Sequence, residues 1–210
     1  MSKIPNKLLS HANSNIEMTE LEKNIIIDNA ATAYEKFMDA LQIDWRNDPN
    51  STGTPRRVAK SFVNELAKGC YTTPPAITSF PSNGYDGMVF QSNIPVKSLC
   101  SHHHLSFTGV CHLAYLPGEK VCGLSKLNRI VEFYARRFQI QEDLTNQIAA
   151  AVDKVCEGNR GVACVVECSH SCCVTRGVNS KDCVMKTSKL TGEFMNDPAT
   201  RAEFYHFIKP

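Results

Sequence analysis

The residues best suited to chemistry lie in two distant segments, CSHHH at residues 100–104 and HSC at residues 170–172. Cys100 and His103 form a Cys-x-x-His pair, and Cys172 adds one distant thiol. These are ligand types that zinc prefers, and a structural zinc is usually closed by four of them, whereas a catalytic zinc keeps one position for water. Three ligands therefore favour a catalytic zinc.

Two further histidines, His102 and His170, lie close to these residues in sequence without being needed as ligands. Histidine is the side chain best suited to transfer protons near neutral pH. A metal site with proton carriers beside it indicates metal-assisted hydrolysis. The alternative is a closed structural zinc that also uses His170 or Cys168.

The choice between Cys172 and its neighbour Cys173 depends on the local structure. Residues 162–176 are rich in Val, Cys and Thr and are predicted to form a strand. Alternate residues of a strand point to the same face, so four side chains would point one way: Cys168, His170, Cys172 and Arg176. Cys173 would point the other way, so Cys172 is predicted as the ligand unless a β-bulge intervenes.

The segment GLSKLNR at residues 123–129 is typical of a phosphate-binding helix start. Ser125 lies where an N-cap belongs, and Lys126 and Arg129 follow it. Helix N-termini bind phosphate through unpaired N–H groups and the helix dipole. A plain capped helix with solvated basic residues is the alternative, but Arg176, near the predicted metal face, favours an anionic ligand.

Two more pairs of residues could complete a binding site, although each has an ordinary structural explanation. Arg57 and Lys60, about one helical turn apart, could add positive charge or form a solvated helix face. Gln141 and Glu142 lie between two predicted helices. An amide beside a carboxylate can bind the donor edge of a guanine or pterin ring, although such pairs also cap helices.

Composition places the chain among globular proteins of one domain's size. It has 210 residues, 42% of them hydrophobic and 21% charged, which is enough to form a core. A net charge of +2 argues against a broad nucleic-acid surface, and no apolar run approaches the roughly 20 residues that span a membrane. Ten cysteines without a regular framework, and an N-terminus without a secretory apolar core, predict reduced thiols in a cytoplasmic protein.

The elements that position these residues change in character near residue 70. Residues 1–70 are predicted to form a polar leader and two helices, the first capped by Thr19 and Glu22 and the second by Thr54. Residues 71–210 are predicted to be the catalytic region, with strands near 88–116, 162–176 and 182–190 and helices at 125–137 and 142–157. Antiparallel strands with segregated helices predict an α+β fold.

Taken together, these motifs resemble those of the GTP cyclohydrolase I family. The resemblance covers roughly residues 54–207, and it rests on several blocks in the same order, which is more specific than any single motif. The blocks are TPRRVAK at 54–60, CSHH at 100–103, HLAYLP at 112–117, GLSKLNRIV at 123–131, QIQEDLTNQI at 139–148 and ECSHSCCVTRG at 167–177.

The resemblance implies a T-fold, in which a four-stranded antiparallel sheet carries helices on one face, here with an N-terminal helical extension. It also implies that sheets of neighbouring subunits join into five-membered rings. Two such rings would stack into a homodecamer, with active sites at the subunit interfaces.

The resemblance further implies a role for each candidate residue. The zinc ligands would be Cys100, His103 and Cys172. Proton transfer would fall to His102 and His170. The guanine edge would be held by Glu142 with Gln141. The triphosphate and ribose would be bound by Ser125, which we also count among the catalytic residues, and by Lys126, Arg129 and Arg176, with Arg57 and Lys60 from another subunit.

The implied reaction is the zinc-dependent hydrolytic opening of the guanine imidazole ring of GTP. Formate is released, and the remainder rearranges to 7,8-dihydroneopterin triphosphate. One residue departs from the family pattern, which usually reads Cys-Glu-His-His, because Ser101 replaces the glutamate. A carboxylate beside zinc-bound histidines orients the imidazole. The alternatives are therefore a weakened relative that binds a purine or pterin, and a structural-zinc assembly protein.

Overall fold

The computed structural model describes residues 8–209, which divide into two compact units with the boundary between Thr73 and Pro74. The sequence prediction placed this boundary after residue 70. Among the described residues, no helix has both the length and the apolar character required to cross a membrane.

The first unit is helical. Helix α1, Glu20–Ala40, begins at the predicted capping box of Thr19 and Glu22. Helix α2, Thr54–Ser61, continues into a π-helical turn and then a 3-10 turn, Phe62–Leu66 and Lys68–Cys70. Its N-cap is Gly53 rather than the predicted Thr54, whose hydroxyl instead accepts a hydrogen bond from the Arg57 guanidinium at 3.2 Å.

The second unit is built on an antiparallel sheet of four strands: β2, Val89–Cys100; β3, Ser106–Leu116; β6, Gly161–His170; and β7, Val184–Leu190. They lie side by side in the order β2-β3-β6-β7. The short strand β5, Phe138–Gln139, adds to the free edge of β2 in parallel. A separate two-stranded sheet pairs β1, Ser79–Pro81, with β4, Lys120–Cys122. The predicted four-stranded antiparallel sheet is confirmed.

The main sheet is apolar on both faces. Helices α3, Leu124–Ala135, and α4, Gln141–Val155, cover the face that includes Leu113 and Tyr115. The intervening Ala114 faces the other way, where Phe194 and Phe204 pack against it. These two side chains belong to the terminal helices α6 and α7, Glu193–Asn196 and Pro198–Ile208. The predicted fold is thus extended by a second, smaller packed face.

Strand β6 ends earlier than predicted. The sequence predicted a strand through residue 176, but β6 stops at His170 and a single helical turn, α5, follows at Ser171–Val174. The reason is that the last residue pair between β3 and β6 joins Phe107 to His170, so the chain beyond has no ladder partner on that side. The backbone instead bonds locally, with Thr175 N–H donating to Ser171 O at 2.9 Å.

The close pairing of β3 with β6 yields a test of the sheet. A Cβ atom at Gly109 would lie 1.9 Å from the carbonyl oxygen of Glu167 and 2.7 Å from Cα of Cys168. Because both neighbours are backbone atoms of β6, Gly109→Ala should destabilise the protein by about 1–3 kcal/mol, the usual range for overpacking. Thermal unfolding followed by circular dichroism at fixed protein concentration measures the change.

The matched control is Gly87→Ala. There the added Cβ would lie 3.0 Å from the hydroxyl of Tyr85, an exposed side chain that can move aside. A Gly109→Ala protein as stable as the Gly87→Ala protein would contradict the described approach of the two strands.

Candidate active site

Three potential ligands converge at one edge of the main sheet. The side-chain ligand atoms of Cys100, His103 and Cys172 all lie within 4.8 Å of one another. Cys100 ends β2, His103 lies in the turn that follows, and Cys172 lies in α5 directly after β6. Because β2 and β6 are both antiparallel to β3, they run in the same direction and end at the same edge. The sheet topology therefore joins the two sequence segments.

The turn after β2 is closed by two backbone hydrogen bonds. His104 N–H donates to Cys100 O at 2.8 Å, and Cys100 N–H donates to Leu105 O at 2.8 Å. His104 takes a left-handed conformation, with φ of 53°, and its ring lies 4.6 Å from that of Phe138. This turn buries the Cys100 side chain and leaves His103 exposed.

The position of Cys172 corrects the argument that selected it. Cys172 lies in the helical turn α5 rather than in a strand, so strand alternation does not decide between Cys172 and Cys173. The turn nevertheless brings Cys172, and not Cys173, within ligand distance of Cys100 and His103. Burial and the adjacent thiols of Cys173 and Cys100 raise the pKa of Cys172 to about 11. A cation at this position would favour the thiolate form at neutral pH.

The metal-binding group has three members. Across residues 8–209 it is the one group of three or more His, Cys, Asp or Glu side chains placed to hold a metal ion. The predicted alternative fourth ligands have other environments. Cys168 lies in the hydrophobic core, where burial raises its pKa to about 12. Nε2 of His170 lies 2.8 Å from Oε1 of Gln141. This arrangement favours an open metal site over a closed structural one.

His170 is held from two directions. Its ring stacks on that of Phe107, with centroids 4.5 Å apart and an interplanar angle of 7°. Burial lowers the pKa of His170, and the charge of Glu142 partly offsets this effect. The neutral imidazole is therefore favoured more strongly than in an exposed histidine.

Gln141 determines which nitrogen of His170 carries the hydrogen. The NH2 group of Gln141, which has two hydrogens, has three acceptors within reach of Nε2: Val166 O at 2.9 Å, Met185 O at 3.0 Å and Thr187 Oγ1 at 3.1 Å. Its Oε1 atom must then face His170 as an acceptor, so Nε2 of His170 is the donor. In the neutral ring, Nδ1 is left as the basic nitrogen.

The prediction that Gln141 binds a guanine or pterin edge is therefore corrected. Only 1% of Gln141 is exposed, and both ends of its amide are engaged within the chain. Its neighbour Glu142 is exposed at the start of α4, close enough for its charge to act on His170. The carboxylate, and not the amide, is the group available to a ligand.

The start of α3 also differs from the prediction. The N-cap is Gly123 rather than Ser125, because the helix begins at Leu124, two residues after β4 ends. Within the described part of the chain, no side chain caps this end. The N–H of Lys126 donates to Gly123 O at 2.8 Å, which leaves the N–H groups of Leu124 and Ser125 available. Ser125 is exposed in the first turn, and Nζ of Lys126 lies 3.4 Å from Ala76 O.

The remaining predicted basic residues are less closely grouped. Arg129 is exposed on α3, and Arg176 is exposed in the segment after α5, four residues beyond Cys172. Arg57 and Lys60 are exposed on α2, which belongs to the first unit, so the site described within the second unit does not include them. The structure thus groups the metal-ligand candidates with His170 and Glu142.

Two supporting residues were not found from the sequence. Phe107 stacks on His170, and Thr187 fixes Gln141 and also lies 2.6 Å from the hydroxyl of Thr145. In the sequence, Phe107 is an ordinary apolar strand residue and Thr187 an ordinary polar one, so neither shows its role. Their roles come from strand register, since Phe107 is paired with His170 across β3 and β6.

Comparison with known proteins shows the family of the chain. A model of the GTP cyclohydrolase I family matches residues 30–209. A protein named GTP cyclohydrolase 1 from Pseudoalteromonas translucida is 48% identical over 182 residues, covering 84% of this chain and 95% of its own. One of the same name from Flavobacterium johnsoniae is 40% identical over 195 residues, covering 92% and 85%. The chain therefore belongs to the GTP cyclohydrolase I family.

Proposed function

We propose that this protein is a GTP cyclohydrolase I. It opens the imidazole ring of the guanine base of GTP by hydrolysis, releases formate and yields 7,8-dihydroneopterin triphosphate, a precursor for pterin biosynthesis. The observation that carries this proposal is the convergence of Cys100, His103 and Cys172 in a chain of this family, with His170 at the start of the helical turn that contains Cys172.

Zinc is the metal that this site fits best. Two thiols and one imidazole, close enough to share one ion, form a ligand set typical of zinc, which binds sulfur at about 2.3 Å and nitrogen at about 2.0–2.1 Å. When bound by three protein ligands, zinc supplies the Lewis acidity that activates water near neutral pH.

His170 and His102 are the proposed proton carriers. With its Nε2 hydrogen held by Gln141, His170 presents Nδ1 as the basic nitrogen, and the ring is fixed in place by Phe107. Nδ1 of His102 lies 3.6 Å from Sγ of Cys100, and its ring is exposed, which suits exchange of a proton at Nε2. General acid–base catalysis of the ring-opening steps requires groups of this kind.

Substrate binding is proposed for two helix starts. The exposed carboxylate of Glu142 can accept hydrogen bonds from the N–H groups of the guanine edge. The uncapped start of α3, with Ser125, Lys126 and Arg129, suits the triphosphate. Arg176 would add charge from the same subunit, and Arg57 and Lys60 from a neighbouring one.

We further propose a homodecamer with active sites at its interfaces. Strand β7 lies at the edge of the sheet, so a neighbouring sheet could continue from it, and Val184 on that strand is 54% exposed. A cytoplasmic location is proposed because all ten cysteines are free thiols.

Ser101 motivates the competing proposal of a relative that binds GTP without turnover. Its backbone N–H donates to Gln139 O at 3.1 Å, so the turn keeps its shape without the usual glutamate. The acidic residue whose charge acts on His170 is Glu142, so this interaction does not depend on the residue at position 101. We therefore favour an active enzyme.

Incubation of the zinc-loaded protein with GTP separates these two proposals. The expected products are one formate per GTP and a pterin that becomes fluorescent after oxidation. Calorimetry on the same preparation measures GTP binding. Binding of GTP without formate would contradict the enzyme and support the binding relative.

The zinc site predicts a contrast between two adjacent cysteines. Cys172→Ala should lose both zinc and turnover, because an open site with three protein ligands cannot readily lose one. Cys173→Ala should keep both, since its sulfur is outside the group of ligands. Zinc per subunit is measured by plasma mass spectrometry, and equal loss in the two variants would refute the assignment.

His170 should be needed for proton transfer but not for metal binding. His170→Asn should slow product formation by roughly 10²–10⁴-fold, the usual scale of general acid–base catalysis, with zinc content unchanged. His104→Asn is the matched control, because this histidine also neighbours the site but packs on Phe138. Loss of zinc from the His170 variant would instead favour the closed structural site.

A further inference from the structure

Two buried cysteines outside the active site form a close pair in the core of the second unit. The Sγ atoms of Cys122 and Cys156 lie 3.0 Å apart, although 34 positions separate the two residues in sequence. Only 8% of Cys122 and 1% of Cys156 are exposed. Cys122 ends β4, and Cys156 is the C-cap of α4. Neither thiol takes part in the proposed reaction.

The two sulfur atoms lie closer together than an ordinary non-bonded contact. A movement of only about 1 Å would bring them to the roughly 2.05 Å of a disulfide bond. Both partners lie at the ends of their elements rather than within them, where the backbone can adjust. The geometry therefore permits a covalent bond between these two residues.

A second buried pair, Cys111 and Cys164, provides a contrast. Its sulfurs lie 3.7 Å apart on the paired strands β3 and β6. Cys111 is opposite Val166, whereas Cys164 is opposite Leu113, so the two cysteines are diagonal neighbours. Diagonal positions in a sheet are about 7–8 Å apart, at or beyond the roughly 7 Å limit between Cα atoms that a disulfide can bridge. The sheet would have to deform to join them.

The surroundings of the first pair shift the pKa values of its two thiols in opposite directions. Cys122 directly precedes the N-cap of α3, where the positive end of the helix dipole stabilises a thiolate. Cys156 lies at the C-terminal, negative end of α4. A hydrogen bond from the Cys156 thiol lowers the pKa of Cys122, and the same interaction raises the pKa of Cys156. Cys122 is thus the better nucleophile.

Tyr115 fixes the position of the nucleophile. The backbone N–H of Cys122 donates to the Tyr115 hydroxyl at 2.8 Å. Burial raises the pKa of Tyr115 to about 12, so the phenol keeps its hydrogen and adds no competing negative charge at neutral pH. The end of β4 is therefore held against the core from which Cys156 approaches.

We infer that Cys122 and Cys156 form an oxidation site that hydrogen peroxide converts into an intramolecular disulfide. The Cys122 thiolate attacks one oxygen of the peroxide, the O–O bond breaks, and hydroxide leaves and takes up a proton as water. The resulting Cys122 sulfenic acid is attacked by the sulfur of Cys156, and the S–O bond breaks with loss of a second water. Two thiols and one peroxide thus give one disulfide and two waters.

The burial of Cys122 limits the size of the oxidant that can reach its sulfur. The small exposed fraction of Cys122 suits a molecule of the size of peroxide better than a bulky peptide disulfide. The new bond would tie the junction of β4 and α3 to the end of α4, and a thiol reductant would reverse it. The inference does not depend on the proposed cyclohydrolase activity.

Peptide mapping of the zinc-loaded protein tests the inference. After treatment with peroxide, remaining thiols are alkylated in denaturant and the protein is digested with trypsin without reduction. The two cysteines lie in the tryptic peptides VCGLSK, residues 121–126, and VCEGNR, residues 155–160, each with a single cysteine. Mass spectrometry should find these two peptides cross-linked, and dithiothreitol should separate them.

Two variants assign the order of events. In Cys156→Ser, Cys122 should accumulate as a sulfenic acid that dimedone labels. In Cys122→Ser, Cys156 should stay a thiol at the same peroxide dose, because it has lost the nucleophilic partner. The reverse pattern of labelling would overturn the assignment of Cys122 as the attacking residue.

The exposed Cys183 and the diagonal pair provide internal controls. Oxidation of Cys183, an exposed free thiol, shows that the peroxide dose was sufficient. The variant Cys111→Ser should leave the cross-link between Cys122 and Cys156 unchanged. If Cys183 is oxidised in the parent protein while Cys122 and Cys156 remain alkylatable, or if either pairs with another cysteine, the inference is wrong.

Discussion

The antiparallel pairing of β3 with β2 on one side and β6 on the other is the constraint on which the site depends. It makes β2 and β6 run in the same direction, so that Cys100 and His170 reach the same edge of the sheet. A tight turn after β2 then presents His103, and a helical turn after β6 presents Cys172. The metal-ligand group is a consequence of strand direction and of where pairing stops.

The position of His170 at the end of β6 explains how its ring is held. This histidine forms the last pair of β6 with β3, opposite Phe107, and the two rings stack. The buried amide of Gln141 connects it to β6 and β7 through hydrogen bonds to Val166 and Met185. The side chain that we propose for proton transfer is thus oriented by groups that also hold the sheet together, and this would reduce the reorganisation required during reaction.

Helix ends carry most of the remaining chemistry of the second unit. The start of α3 offers unpaired N–H groups beside Lys126, and the start of α4 places Glu142 near His170. The oxidation site proposed here also lies between helix ends, because Cys122 precedes α3 and Cys156 ends α4. At the starts of α3 and α4 the helix dipole favours the negative charge that each proposed role requires.

The sequence by itself determined the family resemblance and the α+β class, because these depend on local motifs and hydrophobic periodicity. It also predicted Cys100, His103 and Cys172 as one group, but its reason for preferring Cys172 to Cys173 did not hold, because Cys172 lies in the helical turn α5 and not in a strand. It did not determine that β6 stops at His170, since strand length depends on whether a neighbouring strand is present to pair with it. Nor did it reveal that Gly123 rather than Ser125 caps α3, or that Gln141 is buried against His170. Those features arise from contacts between residues far apart in sequence, which only the tertiary structure decides.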